Sequence, residues 1–250
     1  MVPAFAAGAN AAEPSKKDKE TGASAVPDVP GDEIFGFTSP TDVGQPGDKG
    51  FANENDGRWG KRDGRYNALN TKYEFSSTFA ENWWIAGSLF GAHNFSRNVT
   101  DLNDINNVNF DGASFEIAHR IITRSAGNPF AVTLSVEPRW GRIDGTSGRI
   151  SNAFNAAFKI FIDAVVVPET LFWAANLYFT PQTAENVDMR GRWLASSSTF
   201  VSTALTYQVS PQLFVGAEAR YLSAFNSAWL EHNAGNALYL GPTLMLKVTD

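Results

Sequence analysis

The chain predicts an all-β fold, an antiparallel transmembrane β-barrel, on three observations. Large apolar residues alternate with polar ones along most of it, charges keep to the polar parity, and short connections alternate with long ones. The pattern is clearest over 130–140. Phe130, Val132, Leu134, Val136, Pro138 and Trp140 share one parity, and Ala131, Thr133, Ser135, Glu137 and Arg139 the other. A period of two puts the sets on opposite faces of an extended strand. A soluble sheet normally turns charges to bulk water. Recurrence of this pattern, with aromatics near strand ends, instead fits a wall that is apolar toward lipid and polar toward its own lumen.

The elements follow in order, about eleven strands in all. Segments 33–39 and 50–59 open the barrel. Segment 66–76 carries Lys72 and Glu74 on its polar face, while 83–95 has Gly and Ala on both faces and no clear register. Segment 109–123 presents Glu116 and Arg120, and 130–140 presents Glu137 and Arg139. In 153–167, Phe158, Ile160, Ile162, Ala164 and Val166 oppose Lys159 and Asp163. In 171–180, Leu171, Trp173, Ala175, Leu177 and Phe179 form the apolar face. Segment 193–209 leads into 213–223, where Leu213, Val215, Ala217, Ala219 and Tyr221 oppose Glu218 and Arg220. Leu238, Leu240, Leu244 and Leu246 mark the apolar face of 237–248, with Lys247 on the other. Short turns at 79–82, 125–129, 168–170 and 210–212 alternate with polar loops at 96–108, 141–151, 181–192 and 224–236, the asymmetry of an outer-membrane barrel. Trp173, Phe130 and Tyr207 fall near short turns and Trp140, Phe179 and Tyr221 near long loops, as two interfacial girdles require.

An odd count leaves an open edge, and unpaired backbone groups in lipid cost several kcal/mol each. With the terminus at Val248-Thr249-Asp250 lacking an aromatic, this predicts about 12 strands in the complete protein, one or more of them beyond residue 250. If 79–82 is periplasmic, 33–39 runs inward from outside. Either a strand is missed or the N-terminal segment threads the lumen.

Composition narrows the function. The 250 residues suit one barrel, and no run approaches the roughly 18 apolar residues of a membrane helix. A net charge of −6 argues against nucleic acid. The absence of cysteine excludes disulfides, thiol catalysis and thiolate metal sites, and suits passage through an oxidising periplasm. Residues 1–12, with Ala4-Phe5-Ala6 and Ala9-Asn10-Ala11, read as the tail of a secretory signal peptide. The alternative is a disordered Ala-rich tail. Residues 13–32, rich in Lys, Asp, Pro and Gly, read as a flexible periplasmic linker, and 33–250 as the barrel.

The expected pore-lining set is Lys72, Glu74, Glu116, Arg120, Glu137, Arg139, Lys159, Asp163, Glu218, Arg220 and Lys247. Opposite charges two residues apart share a face and can pair. Their near balance points to a weakly selective polar pathway or to a salt-bridged filling, not to a ring of one sign. No catalytic residue, metal or cofactor is expected. His93 and Ser96 are the one candidate hydrolase pair, but their spacing puts them on opposite faces of a strand. His119 falls on the lipid face or at a turn end, and His232 sits in a loop beside Asn233 and Asn236. Asp101-Leu102-Asn103-Asp104-Ile105-Asn106-Asn107 departs from a calcium loop at its fifth position and reads as an acidic surface loop. Gly36, Gly60 and Gly64 lack the strand–loop–helix context of a phosphate-binding fingerprint.

The opening Asp32-Glu33-Ile34-Phe35-Gly36-Phe37-Thr38-Ser39-Pro40-Thr41-Asp42-Val43 continues through Pro46-Gly47-Asp48-Lys49-Gly50 to Asn55-Asp56-Gly57-Arg58-Trp59-Gly60-Lys61 and Tyr66-Asn67-Ala68-Leu69-Asn70-Thr71-Lys72-Tyr73-Glu74-Phe75. It resembles a group of proteobacterial outer-membrane barrels related to the transporters named after the meta-pathway of phenol degradation. Leu240-Gly241-Pro242-Thr243-Leu244 resembles their penultimate region. The resemblance implies a Gram-negative outer membrane, contact with its lipid and lipopolysaccharide, and small-molecule transport, with no phenolic substrate implied by the name. A passive channel or transporter for small solutes is the expectation. The alternatives are a filled barrel acting through its external loops and, behind it, a lipid hydrolase.

Overall fold

From Lys49 onward, each stretch of two-residue alternation forms a strand. The structure, a computed structural model, describes residues 29, 30, 32–125, 127–189 and 191–247. The strands are β1 (Lys49–Trp59), β2 (Arg65–Ala80), β3 (Trp83–Arg97), β4 (Ile105–Ile122), β5 (Phe130–Ile143), β6 (Ile150–Val167), β7 (Leu171–Glu185), β8 (Trp193–Gln208), β9 (Leu213–Phe225) and β10 (Asn233–Leu246). Each pairs antiparallel with its sequence neighbour in one curled ten-stranded sheet, with β1 and β10 at its edges. The all-β antiparallel architecture is thus as the alternation predicts. No described helix is long and apolar enough to cross a membrane. The expected signal tail (1–12), nearly all of the linker (13–32) and the last three residues lie outside the described residues.

The expected strand at 33–39 is corrected. Residues Asp32–Phe35 form a 3₁₀ turn, and the chain then runs irregularly to Lys49. Ile34 and Phe35 are consecutive yet both fully buried, which a strand facing two environments does not allow. Gly36 at φ 77° then turns the backbone through a conformation disfavoured for other residues. The count is therefore ten described strands, not eleven.

Strands reach further toward the long-loop end than expected. β4 begins at Ile105, β5 runs to Ile143, β7 to Glu185 and β9 to Phe225. Those extensions no longer alternate regularly between apolar and polar residues, so backbone pairing continues after the hydropathy period has ended. The connections consequently differ less in length than the sequence predicts, and the 123–129 connection is as long as 98–104.

Two ladders are interrupted, each opposite a proline. β4 and β5 pair at Ser114↔Arg139 and next at Ile117↔Val136, spanning Pro138. β6 and β7 pair at Asn155↔Gln182 and next at Phe158↔Phe179, spanning Pro181. Proline has no N–H to donate, so one side of its strand loses a ladder bond.

The two faces of the sheet differ sharply. Phe51, Phe75, Leu89, Phe115, Phe158, Leu177, Leu205 and Leu240 project outward and stay exposed, Leu177 at 44% and Leu240 at 75%. Polar side chains of the opposite parity, including Glu74, Glu116, Asp163, Asn176 and Glu218, are buried. At the short-turn end of the outer face, Trp83 stacks on His119 with ring centroids 4.0 Å apart, near Phe79. Phe110 and Trp140, and Phe179 and Trp229, meet toward the long-loop end. The outer face of β1 is an exception, carrying Asn53 and Asn55. Asn55 Nδ2 donates to Asn53 Oδ1 (2.7 Å), Thr71 Oγ1 donates to Asn55 Oδ1 (2.8 Å), and Asn53 Nδ2 donates to the Lys72 carbonyl (3.2 Å), so the amides satisfy one another.

Candidate functional site

Residues 34–43 cross the inner face as a strap. At its start Ile34 and Phe35 sit in a pocket with Val165, Phe172, Ala174, Ala204 and Phe214, the main apolar cluster of the described residues. Thr206 Oγ1 of β8 donates to the Ile34 carbonyl (2.9 Å). Glu218 of β9 accepts from Thr38 Oγ1 (2.8 Å) and the Phe37 N–H (3.2 Å), and the Ser202 hydroxyl of β8 shares a hydrogen bond with Thr38 Oγ1 (2.9 Å). Asn176 of β7 exchanges two 2.7 Å bonds with the Ser39 backbone, imitating a strand partner. Asp163 of β6, 0% exposed, accepts from both N–H (2.6 Å) and Oγ1 (2.8 Å) of Thr41 and pairs with Arg124. Thr133 of β5 and Arg120 of β4 donate to the Thr41 carbonyl at 2.8 and 3.1 Å, and Arg120 pairs with Asp42 at 2.7 Å. Thr78 Oγ1 of β2 donates to the Val43 carbonyl.

The path is geometrically tight. Nine extended residue steps reach about 30 Å, whereas seven inter-strand steps along the sheet measure about 34 Å. The strap spans β9 to β2 because it takes the inside of the curve. Its partners lie in the short-turn half of the strands, so the strap crosses the inner space toward that end.

Ten of the eleven expected site residues lie on the inner face by register, with Lys247 just beyond β10, but they fall into separate groups. Lys159 Nζ bridges Glu116 (2.8 Å) and Glu137 (2.6 Å), which also accept from Ser135 and Ser114. Lys72 pairs with Glu74 (2.6 Å) and lies 3.6 Å from Glu54, while Ser88 Oγ donates to Glu74 (3.2 Å). Arg139 pairs with Asp111 (2.9 Å) and stacks on Phe90, so Glu137 and Arg139 do not serve each other. Arg120, Asp163 and Glu218 hold the strap. Arg220 lies over the Phe37 ring, 3.9 Å from its centroid, with Tyr239 on another side. Lys247 lies over Phe214 and donates to the Pro30 carbonyl. Two residues apart on a strand predicts a shared face but not the partner, and most partners come from another strand.

Sequence reasoning missed Glu54, Asp111, Arg124, Asn176 and Asp42. Asp111 left one readable signal. Outward apolar parity changes from Val108 and Phe110 to Phe115 and Ile117, and a bulge lies there, between Phe90↔Gly112 and Gly91↔Phe110. Glu54 and Asn176 sit on correct parity, Arg124 in the β4–β5 connection and Asp42 in the strap, with nothing local to distinguish them.

The candidate hydrolase pair does not assemble. Ser96 is buried inward and donates to the Asn103 carbonyl (2.6 Å), whereas His93 faces outward beside Asn106 (3.3 Å). His119 projects outward at the short-turn end, stacked on Trp83. The acidic 98–104 loop closes on itself, with Asp104 accepting from the Asn98 N–H (2.7 Å), and among the described residues no group of His, Asp and Glu could hold a metal. The arrangement is one of paired charges and amides around a narrowed space.

No curated protein matches the chain. Residues 27–250, and with them the whole described sheet and strap, match a family of unknown function, DUF6662, and the chain belongs to that family.

Proposed function

We propose that the protein is an outer-membrane β-barrel giving small solutes a passive path, narrowed toward its periplasmic end by the 34–43 strap. The observation that carries this reading is the inverted burial. Large apolar side chains are exposed around one face, while charged and amide side chains are buried and paired on the other. Such a continuous apolar surface is not tolerated in water, where patches above a few hundred Å² mark interfaces, and a polar inner face is what a water-filled barrel needs. In this reading the short-turn end is periplasmic, the outer face contacts lipid and lipopolysaccharide, and no catalytic residue or cofactor takes part. Kinship to the meta-pathway outer-membrane transporters rests on the opening segment and on Leu240 to Leu244.

A filled barrel is the second reading, favoured by the extent of charge pairing and by the strap itself. Planar-bilayer conductance of the full-length, signal-processed protein separates the two. Discrete, salt-dependent steps are expected, and a variant lacking residues 34–43 should conduct more than the parent. Heat-modifiable protein that inserts yet stays silent with and without the strap would establish the filled barrel instead.

A further inference from the structure

Six buried side-chain polar atoms among the described residues have no hydrogen-bond partner: Glu54 Oε1, Arg58 Nε, both amide atoms of Asn94, Asn107 Oδ1 and Thr243 Oγ1. Five of them lie on the inner face of β1, β3 and β4. Arg58, Ala68, Asn94 and Asn107 stand opposite one another in a single row across four strands, and Glu54 lies four residues from Arg58 on the same face. Such atoms normally find partners, since each unserved one costs about 1–3 kcal/mol. Their clustering therefore calls for a cause.

The row lies beneath the 144–149 loop. Asn107 Nδ2 donates to the Gly148 carbonyl (3.2 Å), and Tyr66 Oη donates to that of Thr146 (3.3 Å). Gly148 lies so close to Asn94, itself 2% exposed, that a Cβ would fall 2.6 Å from that residue's own Cβ. Past Gly148 and Asn107 opens a cavity of about 470 Å³, bounded also by Asn109, Arg149, Glu185 and Asp188. That volume is within the roughly 300–1,000 Å³ of ligand sites. Arg149 and Asp188 spend their charges on each other at 2.7 Å, leaving the amides as unspent groups.

We propose that this row and the adjoining cavity bind a neutral polyhydroxylated solute, a sugar or polyol, on its way through the barrel. The inventory selects the class. Glu54 Oε1 has the Lys72 ammonium 3.6 Å away, but two orphan donors (Arg58 Nε and Asn94 Nδ2) and two orphan acceptors (Asn94 Oδ1 and Asn107 Oδ1) need a ligand that both accepts and donates. A carboxylate or phosphate only accepts, and an ammonium only donates, whereas hydroxyls do both. Small Ala68 and Ala92 flank Asn94, and in this proposal the solute reaches its amide by displacing the 144–149 loop that covers it.

The proposal rests on the solute-path reading, but binding is measured on folded protein in detergent, so it fails or holds separately from conductance. Calorimetric titration with maltose, gluconate and glucosamine is the test. Maltose is expected to bind more tightly than either charged sugar, and Asn94→Leu to weaken it about tenfold, the factor for one lost hydrogen-bonding group. Heat-modifiable mobility checks folding, and Asn107→Leu, at a less buried position, replaces Asn94→Leu if the latter does not fold. No maltose binding, equal binding of all three probes, or affinity untouched by the folded variant would overturn the proposal and leave the orphan atoms to water.

Discussion

At the scale of the residue, Lys159 shows what holds the inner face together. Its ammonium serves two carboxylates on two other strands, so removing it strands two buried negative charges beside each other. Breaking a buried pair costs about 3–5 kcal/mol, far more than the pair contributes over an apolar replacement. Lys159→Met should therefore lower stability by about that amount in urea titrations. Adding Glu116→Gln and Glu137→Gln should recover most of it. The outer face of β1 makes the complementary point: Asn53 and Asn55 are tolerated beside apolar neighbours because each finds its partner within the cluster.

At the scale of the element, the strap and the strands differ in how they are encoded. Strands were legible because face and environment repeat every two residues: Phe158, Ile160 and Ile162 against Lys159 and Asp163 need no knowledge of the rest of the chain. Strap residues repeat nothing. Ile34 and Phe35 anchor by adjacency, Thr38 and Thr41 look like any loop polar residues, and the partners of their hydroxyls lie 122 to 180 residues away. The same limit applies to the charges, whose face was legible from parity while their partners were not. Truncating the anchor by Phe35→Ala should cost about 3–5 kcal/mol, the range for a buried aromatic. The loss should fall on the strap, read as faster proteolysis within residues 36–47 while the sheet keeps its heat-modifiable mobility. Equal loss of both would mean that strap and sheet fold as one unit.

At the scale of the molecule, the outer face is where the membrane reading stands or falls. Leu177 belongs to the exposed apolar surface of a central strand. If that surface meets lipid at mid-depth, Leu177→Arg should reduce folding stability in vesicles by about 2–4 kcal/mol. A change near zero would place that face in water. The interrupted ladders at Pro138 and Pro181 lie on strands flanking β6, so the lost ladder bonds sit beside the Lys159 charge network.

The strap also has a mechanical direction. Its bonds lie in series across the strands, not side by side along one of them, so tension applied ahead of residue 32 is borne by one attachment at a time. The Phe35 pocket and Glu218 yield first, while Asp163 and Thr78 still hold. A strap loaded in this way peels, and a peeled joint opens at far lower force than the sheared ladders of the wall that surrounds it.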